Sequence, residues 1–205
     1  MNNKNNIEAD RFDLLSRISS APFRLDDEII SFNENQRIKI LKQEFSFNQP
    51  GSRDSYAKLT ISSNGPVWEK EILLDDDNSF FDFVRIHESE YLLFSEVLCG
   101  GNSVLDLQTG ELHSYSDGTD GFISAEYSIS PDCNFLAVFG CYWAGEFFVR
   151  VFDITNLIQL PWPIAKDLNL IENGEVKFEW VGECSLRIHE TISTNTIQDV
   201  IIDMK

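Results

Sequence analysis

The chain has 205 residues, of which 42% are hydrophobic and 12% aromatic, and its formal net charge is −18. This apolar content is sufficient for one substantial core, so we expect a single domain over residues 1–205 rather than a disordered chain. No run of about 18 apolar residues occurs, which argues against a transmembrane helix. The N-terminal segment MNNKNNIEADRF has no apolar stretch of the kind found in secretory signals, so we expect a cytoplasmic protein.

The acidic residues are unevenly distributed along the chain. Residues 1–70 hold ten acidic and ten basic side chains, residues 71–120 hold twelve acidic side chains against Arg85 alone, and residues 121–205 hold twelve against five. Such a field repels nucleic-acid phosphates and anionic membranes, and it speeds encounter with a basic protein. We therefore expect a protein partner and neither nucleic acid nor membrane. The alternative is that the charge serves only solubility and the protection of sheet edges.

The N-terminal third of the chain changes from helical to extended patterning. Residues 1–7 are rich in Asn and are expected to be disordered, whereas Phe12, Leu15 and Ile18 are spaced three apart and predict a short helix over residues 8–19. From residue 28 the apolar period becomes two, which predicts an irregular meander of strands over residues 28–78.

The rest of the chain repeats itself. Residues 80–116 and 122–164 share one order: a strand, a polar turn, a buried run, a turn with Gly, a strand that carries an Asp, and a closing strand. Residues 177–205 form a third, less regular copy. A repeat of about 40 to 50 residues with four strands is typical of β-propeller blades. The sequence therefore predicts an all-β fold of consecutive antiparallel four-stranded meanders, with the closure of a ring left open.

Two motifs make this similarity more specific. SISPD at residues 128–132, followed by FLAV at 135–138, resembles the turn and buried strand of WD40-like β-propellers, and VLDLQTGE at 104–111 resembles their third strand and hairpin turn. The resemblance implies blade architecture and no particular activity. Cys133 stands where that family usually has Gly, and no Trp-Asp pair ends the third strand. The segment at 140–163 is also similar to segments of uncharacterised bacterial proteins, which implies a bacterial origin.

The sequence offers no pattern typical of a catalytic or metal site. Its three histidines lack the spacing of zinc motifs, and no G-x-S-x-G elbow is present, although a triad dispersed along the chain stays open: His87, His113 and His189. The acidic loops at 75–78 and 117–121 lack the spacing of a calcium-binding EF-hand. We therefore expect no catalytic residues, no metal and no cofactor.

The four cysteines show no C-x-x-C spacing, and we expect buried, unreactive thiols rather than disulfides or nucleophiles: Cys99, Cys133, Cys141 and Cys184.

Aromatic residues among acids suggest a binding surface instead. Tyr142 and Trp143 stand at a predicted hairpin tip and Trp162 between two prolines, and large rings make good protein-binding anchors. The alternative is that these rings fold inward onto the sheet, as we expect for Trp180 in its strand. The partner-binding candidates are Asp75, Asp76, Asp77, Glu88, Glu90, Asp117, Asp120, Tyr142, Trp143 and Trp162.

The function that combines these features is that of a non-enzymatic acidic binding protein. Its most specific form is an immunity-type inhibitor that caps one basic toxin or effector protein, with the acidic residues speeding association and the aromatic residues slowing dissociation. The alternative is a propeller-like interaction scaffold for a housekeeping partner.

Overall fold

A computed structural model describes most of the chain. The described residues are 7–20, 23–32, 38–46, 55–64, 67–74, 81–86, 88–96, 101–116, 121–142, 145–169, 176–193 and 196–204.

Within these residues, one helix precedes fifteen strands. The helix is α1 (Ile7–Ser20), and the strands are β1 (Phe23–Phe32), β2 (Ile38–Ser46), β3 (Ser55–Asn64), β4 (Val67–Leu74), β5 (Phe81–Ile86), β6 (Ser89–Phe94), β7 (Gly101–Asp106), β8 (Leu112–Ser116), β9 (Phe122–Ile129), β10 (Phe135–Tyr142), β11 (Phe147–Asp153), β12 (Ile164–Asn169), β13 (Val176–Val181), β14 (Ser185–Ser193) and β15 (Thr196–Asp203).

The strands form four antiparallel meanders in chain order. The sheets β1–β4, β5–β8 and β9–β12 have four strands each, and β13–β15 has three. The predicted all-β fold of repeated meanders with a short N-terminal helix is confirmed. The first meander pairs regularly apart from one register shift between Arg24 and Asp27.

Internal contacts divide the chain into two compact units, residues 1–121 and residues 122–205. The first unit contains α1 and the sheets β1–β4 and β5–β8, and the second contains the sheets β9–β12 and β13–β15. The single domain expected from the sequence stays a prediction.

The core of the first unit joins its two sheets. Alternate residues of β3 lie on one buried face, as period two requires, and apolar residues of the second sheet complete the cluster. Trp68 packs over Gly110, where a Cβ would lie 2.8 Å from the indole ring and where φ is +73°. Both the space and the backbone conformation therefore require glycine there. The buried cluster includes Ile40, Ala57, Leu59, Ile61, Leu74, Leu92, Phe94 and Leu105.

An ion pair attaches α1 to the second sheet of this unit. Arg11 donates to both carboxylate oxygens of Glu96, at 2.6 and 2.7 Å. Ser103 Oγ and Ser114 Oγ also donate to Glu96, at 2.5 and 2.9 Å. The Glu96 side chain is almost completely buried, and a buried carboxylate needs a counter-charge and donors of this kind. This arrangement therefore anchors the helix through a specific polar contact.

The core of the second unit lies between its two sheets. Ala137, Val149 and Val151 from one sheet and Leu186 and Ile188 from the other are buried together.

Trp180, which we expected to be buried, is partly buried at the margin of this core. Its ring stacks on Phe135 with 6.5 Å between the ring centres, and its Nε1 donates to the backbone oxygen of Ser128 at 3.1 Å. The indole therefore links β13 to the sheet β9–β12.

The SPD motif forms a tight turn before β10. Ser130 Oγ accepts from the backbone N–H of Phe135 at 2.9 Å and donates to Asp132 at 2.6 Å, and Asn134 Nδ2 donates to the same carboxylate at 2.9 Å. Cys133 has φ +58°, a left-handed conformation that favours glycine. The departure from the WD40-like pattern at this position therefore carries a conformational cost.

Candidate protein-binding site

The turn end of the β10–β11 hairpin exposes aromatic and acidic side chains together. Tyr142, Gly145, Glu146 and Phe147 are all exposed, and the N–H of Gly145 donates to the backbone oxygen of Tyr142 at 2.7 Å. We call Tyr142, Glu146 and Phe147 the hairpin-tip patch. Exposed rings beside carboxylates at the end of a hairpin are available to another protein.

Tyr142 is held in place although 43% of it is exposed. Its hydroxyl accepts a hydrogen bond from Arg150 Nη1 at 3.0 Å, and its ring lies edge-on to Phe122 with centres 5.8 Å apart. A ring that is fixed before binding loses little rotamer entropy when a partner covers it.

Phe147 is the second exposed ring, with 51% of its surface accessible. It stacks on Phe139 with centres 5.1 Å apart. The cross-strand partner of Phe139 is Glu126, so an exposed carboxylate lies beside this aromatic pair on the same face of the sheet. Glu146 precedes Phe147 in the chain and is also exposed. The apolar surface at the tip is therefore bordered by negative charge.

A buried cation lies beneath Tyr142, on the face of the sheet opposite to Phe147. Arg150 on β11 is bound by both oxygens of Asp167, at 2.6 and 2.9 Å. Burial acts to lower the pKa of Arg150, but hydrogen bonds to Asp167 and Tyr142 outweigh it and raise that pKa, so the side chain remains a cation. Four rings lie within 4.8 to 5.9 Å of the guanidinium carbon, a distance suited to cation–π attraction: Phe122, Tyr142, Phe148 and Phe152.

Close packing fixes the position of Phe122 in this group. A Cβ at Gly140 would overlap the backbone oxygen of Ile123 and lie 2.8 Å from the Phe122 ring. Glycine at this position lets the ring approach β10 closely, where it contacts both Tyr142 and the Arg150 guanidinium. Tyr142 therefore rests on a packed layer of side chains.

Two of the five positive charges of the second unit pair with its own carboxylates. Arg150 pairs with Asp167, and Arg187 pairs with Glu179 at 3.0 Å. The unit holds twelve acidic and five basic residues. Its surface potential is therefore negative, which suits a cationic partner.

Of the predicted partner-binding candidates that the structure describes, Tyr142 alone lies in the hairpin-tip patch. Glu88 is exposed and Glu90 half-buried at the β5–β6 turn in the other unit, where Glu90 accepts from Arg85 at 3.0 Å. The remaining acidic candidates and one tryptophan lie outside the described residues: Asp75, Asp76, Asp77, Asp117, Asp120 and Trp143.

Trp162 folds inward instead of contributing to a binding surface. It is buried against Phe152 with ring centres 6.1 Å apart, and its Nε1 donates to the backbone oxygen of Leu157 at 2.8 Å. Its ring is enclosed by its own chain, so we do not include it in the patch.

Sequence reasoning did not identify Phe147, Glu146, Glu126 or Arg150. The available signal was Arg150, which interrupts the apolar run FFVRVF at residues 147–152. A charged residue at the centre of a buried strand needs a partner and therefore indicates a specific local arrangement.

The histidines and cysteines form no centre in the described part of the chain. His113 lies 3.6 Å from Glu111 and His189 lies 3.5 Å from Glu179, and no group of three or more potential metal ligands occurs among the described residues. His87 and Cys99 lie outside them.

Three cysteines are described, and each is in the thiol form: Cys133, Cys141 and Cys184. Burial raises the pKa of Cys141, and burial together with the charge of Asp132 raises that of Cys133. A raised pKa reduces the fraction of thiolate and therefore argues against a nucleophilic role for these two cysteines.

No helix among the described residues is both long and apolar enough to cross a bilayer.

Comparisons with known proteins do not assign the chain to a family. No protein-family model matches it. No curated protein matches it either. Among solved structures, it is similar to the β-propeller domain of Cps50 (Swd1) from Myceliophteria thermophila, with 12% identity, a TM-score of 0.43, and coverage of 86% of this chain and 69% of that one. A superposition at that TM-score supports no argument about function, so the proposal below rests on this chain's own residues.

Proposed function

We propose that this protein is a non-enzymatic protein-binding module that engages a basic partner through the hairpin-tip patch. The observation that carries the proposal is the pair of exposed rings, Tyr142 and Phe147, which lie on opposite faces of one hairpin end, are each ordered by neighbouring side chains, and have carboxylates nearby. Aromatic anchors surrounded by charge contribute most of the affinity at many protein interfaces.

The two rings suit a binding role because the protein has already ordered them. Arg150 fixes the hydroxyl of Tyr142, and Phe139 stacks on Phe147. An interface built on ordered rings avoids about 0.5 to 1.5 kcal/mol of side-chain entropy per residue on binding. The acidic border adds attraction for Lys and Arg on the partner and speeds encounter.

An interaction scaffold is the form of this function that we favour, because exposed, ordered rings at a hairpin end require no particular partner. The immunity-type inhibitor stays a second hypothesis, and the concentration of charge in residues 71–120 favours it. The two forms differ in outcome: an inhibitor binds one basic protein tightly at equal stoichiometry, whereas a scaffold binds several with modest affinity.

The test is affinity capture with matched surface variants. Wild-type protein, Phe147→Ser and Phe12→Ser are immobilised and exposed to lysate, and retained proteins are identified after washes at low and high salt. Phe12 is an exposed phenylalanine on α1, with 77% of its surface accessible, so its substitution removes a similar ring elsewhere. We expect basic proteins that are lost with Phe147→Ser, kept with Phe12→Ser and weakened by salt. An identical set of proteins on all three would refute the patch as the binding surface.

A further inference from the structure

The last sheet ends on a strand that has one neighbour. In each of the other three sheets the third strand is covered by a fourth, whereas β15, the third strand of the last sheet, pairs only with β14 among the described strands. Its other edge presents backbone groups in position for a further strand, apart from the backbone oxygen of Asp203, which accepts from Lys166 Nζ at 2.8 Å.

Burial shows what such a fourth strand would cover. Leu59, Leu105 and Val151 are core residues on the third strands of the complete sheets, and each is 0% exposed. Val200 on β15 lies opposite the buried Ile188, on the core face of its sheet, yet it is 38% exposed. Ile201 on the other face is 59% exposed. The side chains of β15 therefore expose apolar surface, whereas the third strands of the other sheets have core residues that are fully buried.

Two of the three fourth strands carry the charges that usually protect a sheet edge. On β12, Lys166 and Asp167 stand near the centre of the strand, and on β4 the sequence EKE occupies residues 69–71. In contrast, Val200, Ile201 and Ile202 follow one another on β15 without a charge. Natural sheets rarely leave an apolar edge of this kind without a partner.

We propose that β15 accepts an antiparallel strand from a basic, extended segment of a protein partner, an inference that rests on the proposed protein-binding function. Backbone hydrogen bonds along β15 would supply affinity, and alternate apolar side chains of the incoming segment would cover Val200. Asp199 and Asp203 flank the apolar run, and the second unit has twelve acidic residues against five basic ones, so cationic side chains complement this edge. The net charge of −18 opposes a second copy of the chain as the occupant.

A defined peptide tests this directly. The probe is a fluorescent, end-capped heptapeptide, Lys-Val-Lys-Ile-Lys-Val-Lys, and its control is the same peptide N-methylated along the backbone, which keeps the charge but cannot donate backbone hydrogen bonds. Binding is followed by anisotropy, and amide exchange is followed at residues 200–203.

The variants separate edge pairing from simple attraction. Ile201→Lys places a charge on the edge of β15, and Ile164→Lys places the same charge at another exposed isoleucine, on β12. We expect Ile201→Lys to weaken binding of the probe by at least about tenfold and Ile164→Lys to have a much smaller effect. We also expect the probe to slow exchange at residues 200–203 and the N-methylated peptide not to do so.

Three results would overturn the proposal. Equal binding of the two peptides would mean that charge alone attracts them. Exchange at residues 200–203 of the free protein as slow as at residues 149–151 would mean that the edge is already covered by this chain. Self-association that Ile201→Lys abolishes would identify a second copy as the occupant. Phe147→Ser should leave binding of the probe unchanged, so failure at this edge and failure of the hairpin-tip patch are distinguishable.

Discussion

The guanidinium of Arg150 and the carboxylate of Asp167 form two hydrogen bonds between β11 and β12, at 2.6 and 2.9 Å, with the two partners in different environments. The Arg150 side chain is 7% exposed, whereas that of Asp167 is 44% exposed. The pair therefore supplies a counter-charge to a cation that water cannot reach, while the carboxylate keeps contact with solvent. The stability of the layer beneath Tyr142 depends on this asymmetry.

Replacing Asp167 should destabilise the protein more than its exposure suggests. Asp167→Asn leaves the buried guanidinium without its counter-charge, and we expect a loss of about 2 to 4 kcal/mol in the free energy of unfolding. The measurement is urea denaturation at pH 7. Glu179→Gln is the matched control, because it removes an acid from the more exposed Arg187 pair and should cost less than about 1 kcal/mol. Equal losses from the two variants would contradict the asymmetry.

The contact between Arg11 and Glu96 gives a second stability prediction. Arg11→Ala removes the counter-charge from a buried carboxylate that keeps hydroxyl donors from Ser103 and Ser114, and we expect destabilisation of about 3 kcal/mol and loosening of α1. Arg85→Ala removes an exposed arginine from its pair with Glu90 and should cost less than about 1 kcal/mol. Thermal melts with helix-sensitive circular dichroism compare the two. A negligible effect of Arg11→Ala would show that the helix does not depend on this ion pair.

Cys133→Gly should stabilise the protein. Cys133 has φ +58°, and a left-handed conformation costs an ordinary L-residue about 1 to 2 kcal/mol. Glycine removes that cost but increases the entropy of the unfolded chain, so we expect a net gain of up to about 1 kcal/mol. Chemical denaturation measures it, and Cys133→Ala, which keeps the Cβ, serves as the control without a gain. Destabilisation by glycine would indicate that contacts of the thiol outweigh the backbone strain.

Asp132 should make the turn before β10 sensitive to acid. Burial acts to raise the pKa of Asp132, but hydrogen bonds from Ser130 and Asn134 outweigh it, so the pKa lies below the ordinary value of 3.8. A group with a lowered folded-state pKa contributes stability above its unfolded pKa and loses it as the pH falls through its folded pKa. Asp132→Asn should therefore be less stable than wild type at pH 7, and the difference should shrink below about pH 3.8. A difference that stays constant down to pH 2 would contradict this account.

Much of the fold was predictable because it depends on local patterns. Period-two alternation and turn residues marked the strands, and the shared order of strands and turns in residues 80–116 and 122–164 marked the repeat. The start of the first strand was harder to predict. Strand β1 begins at Phe23, but the acidic run DDE at residues 26–28 obscured its alternation. The sequence did not show that the last copy has three strands among the described residues, because the pattern of a strand does not reveal whether another strand pairs with it.

The binding site was predictable only in part, because exposure is a tertiary property. The glycines at 140 and 145 located a hairpin tip, and Tyr142 is exposed there. Trp162 had the same flanking signal of turn residues, yet it folds inward to bond with Leu157. The exposure of Phe147 could not be inferred from FFVRVF, where adjacent apolar residues point to opposite faces of one strand.

The acidic segment at Asp75, Asp76 and Asp77 should affect association rather than dissociation. Converting all three to Asn removes three of the eighteen net negative charges, so association with a basic partner should slow and depend less on salt. The dissociation rate should not change if these residues act through the long-range field. Stopped-flow kinetics at several salt concentrations measures both rates. Unchanged association would mean that the segment serves only solubility.

The most direct test of the central claim is the dissociation rate of a purified basic partner from wild type, Phe147→Ser and Phe12→Ser, measured by surface plasmon resonance at physiological salt. If the hairpin-tip patch anchors the partner, Phe147→Ser should raise the dissociation rate by about tenfold or more, corresponding to a lost anchor of about 1.4 kcal/mol, while Phe12→Ser leaves it unchanged. Equal dissociation rates for all three folded proteins would contradict the claim that the patch is the binding surface.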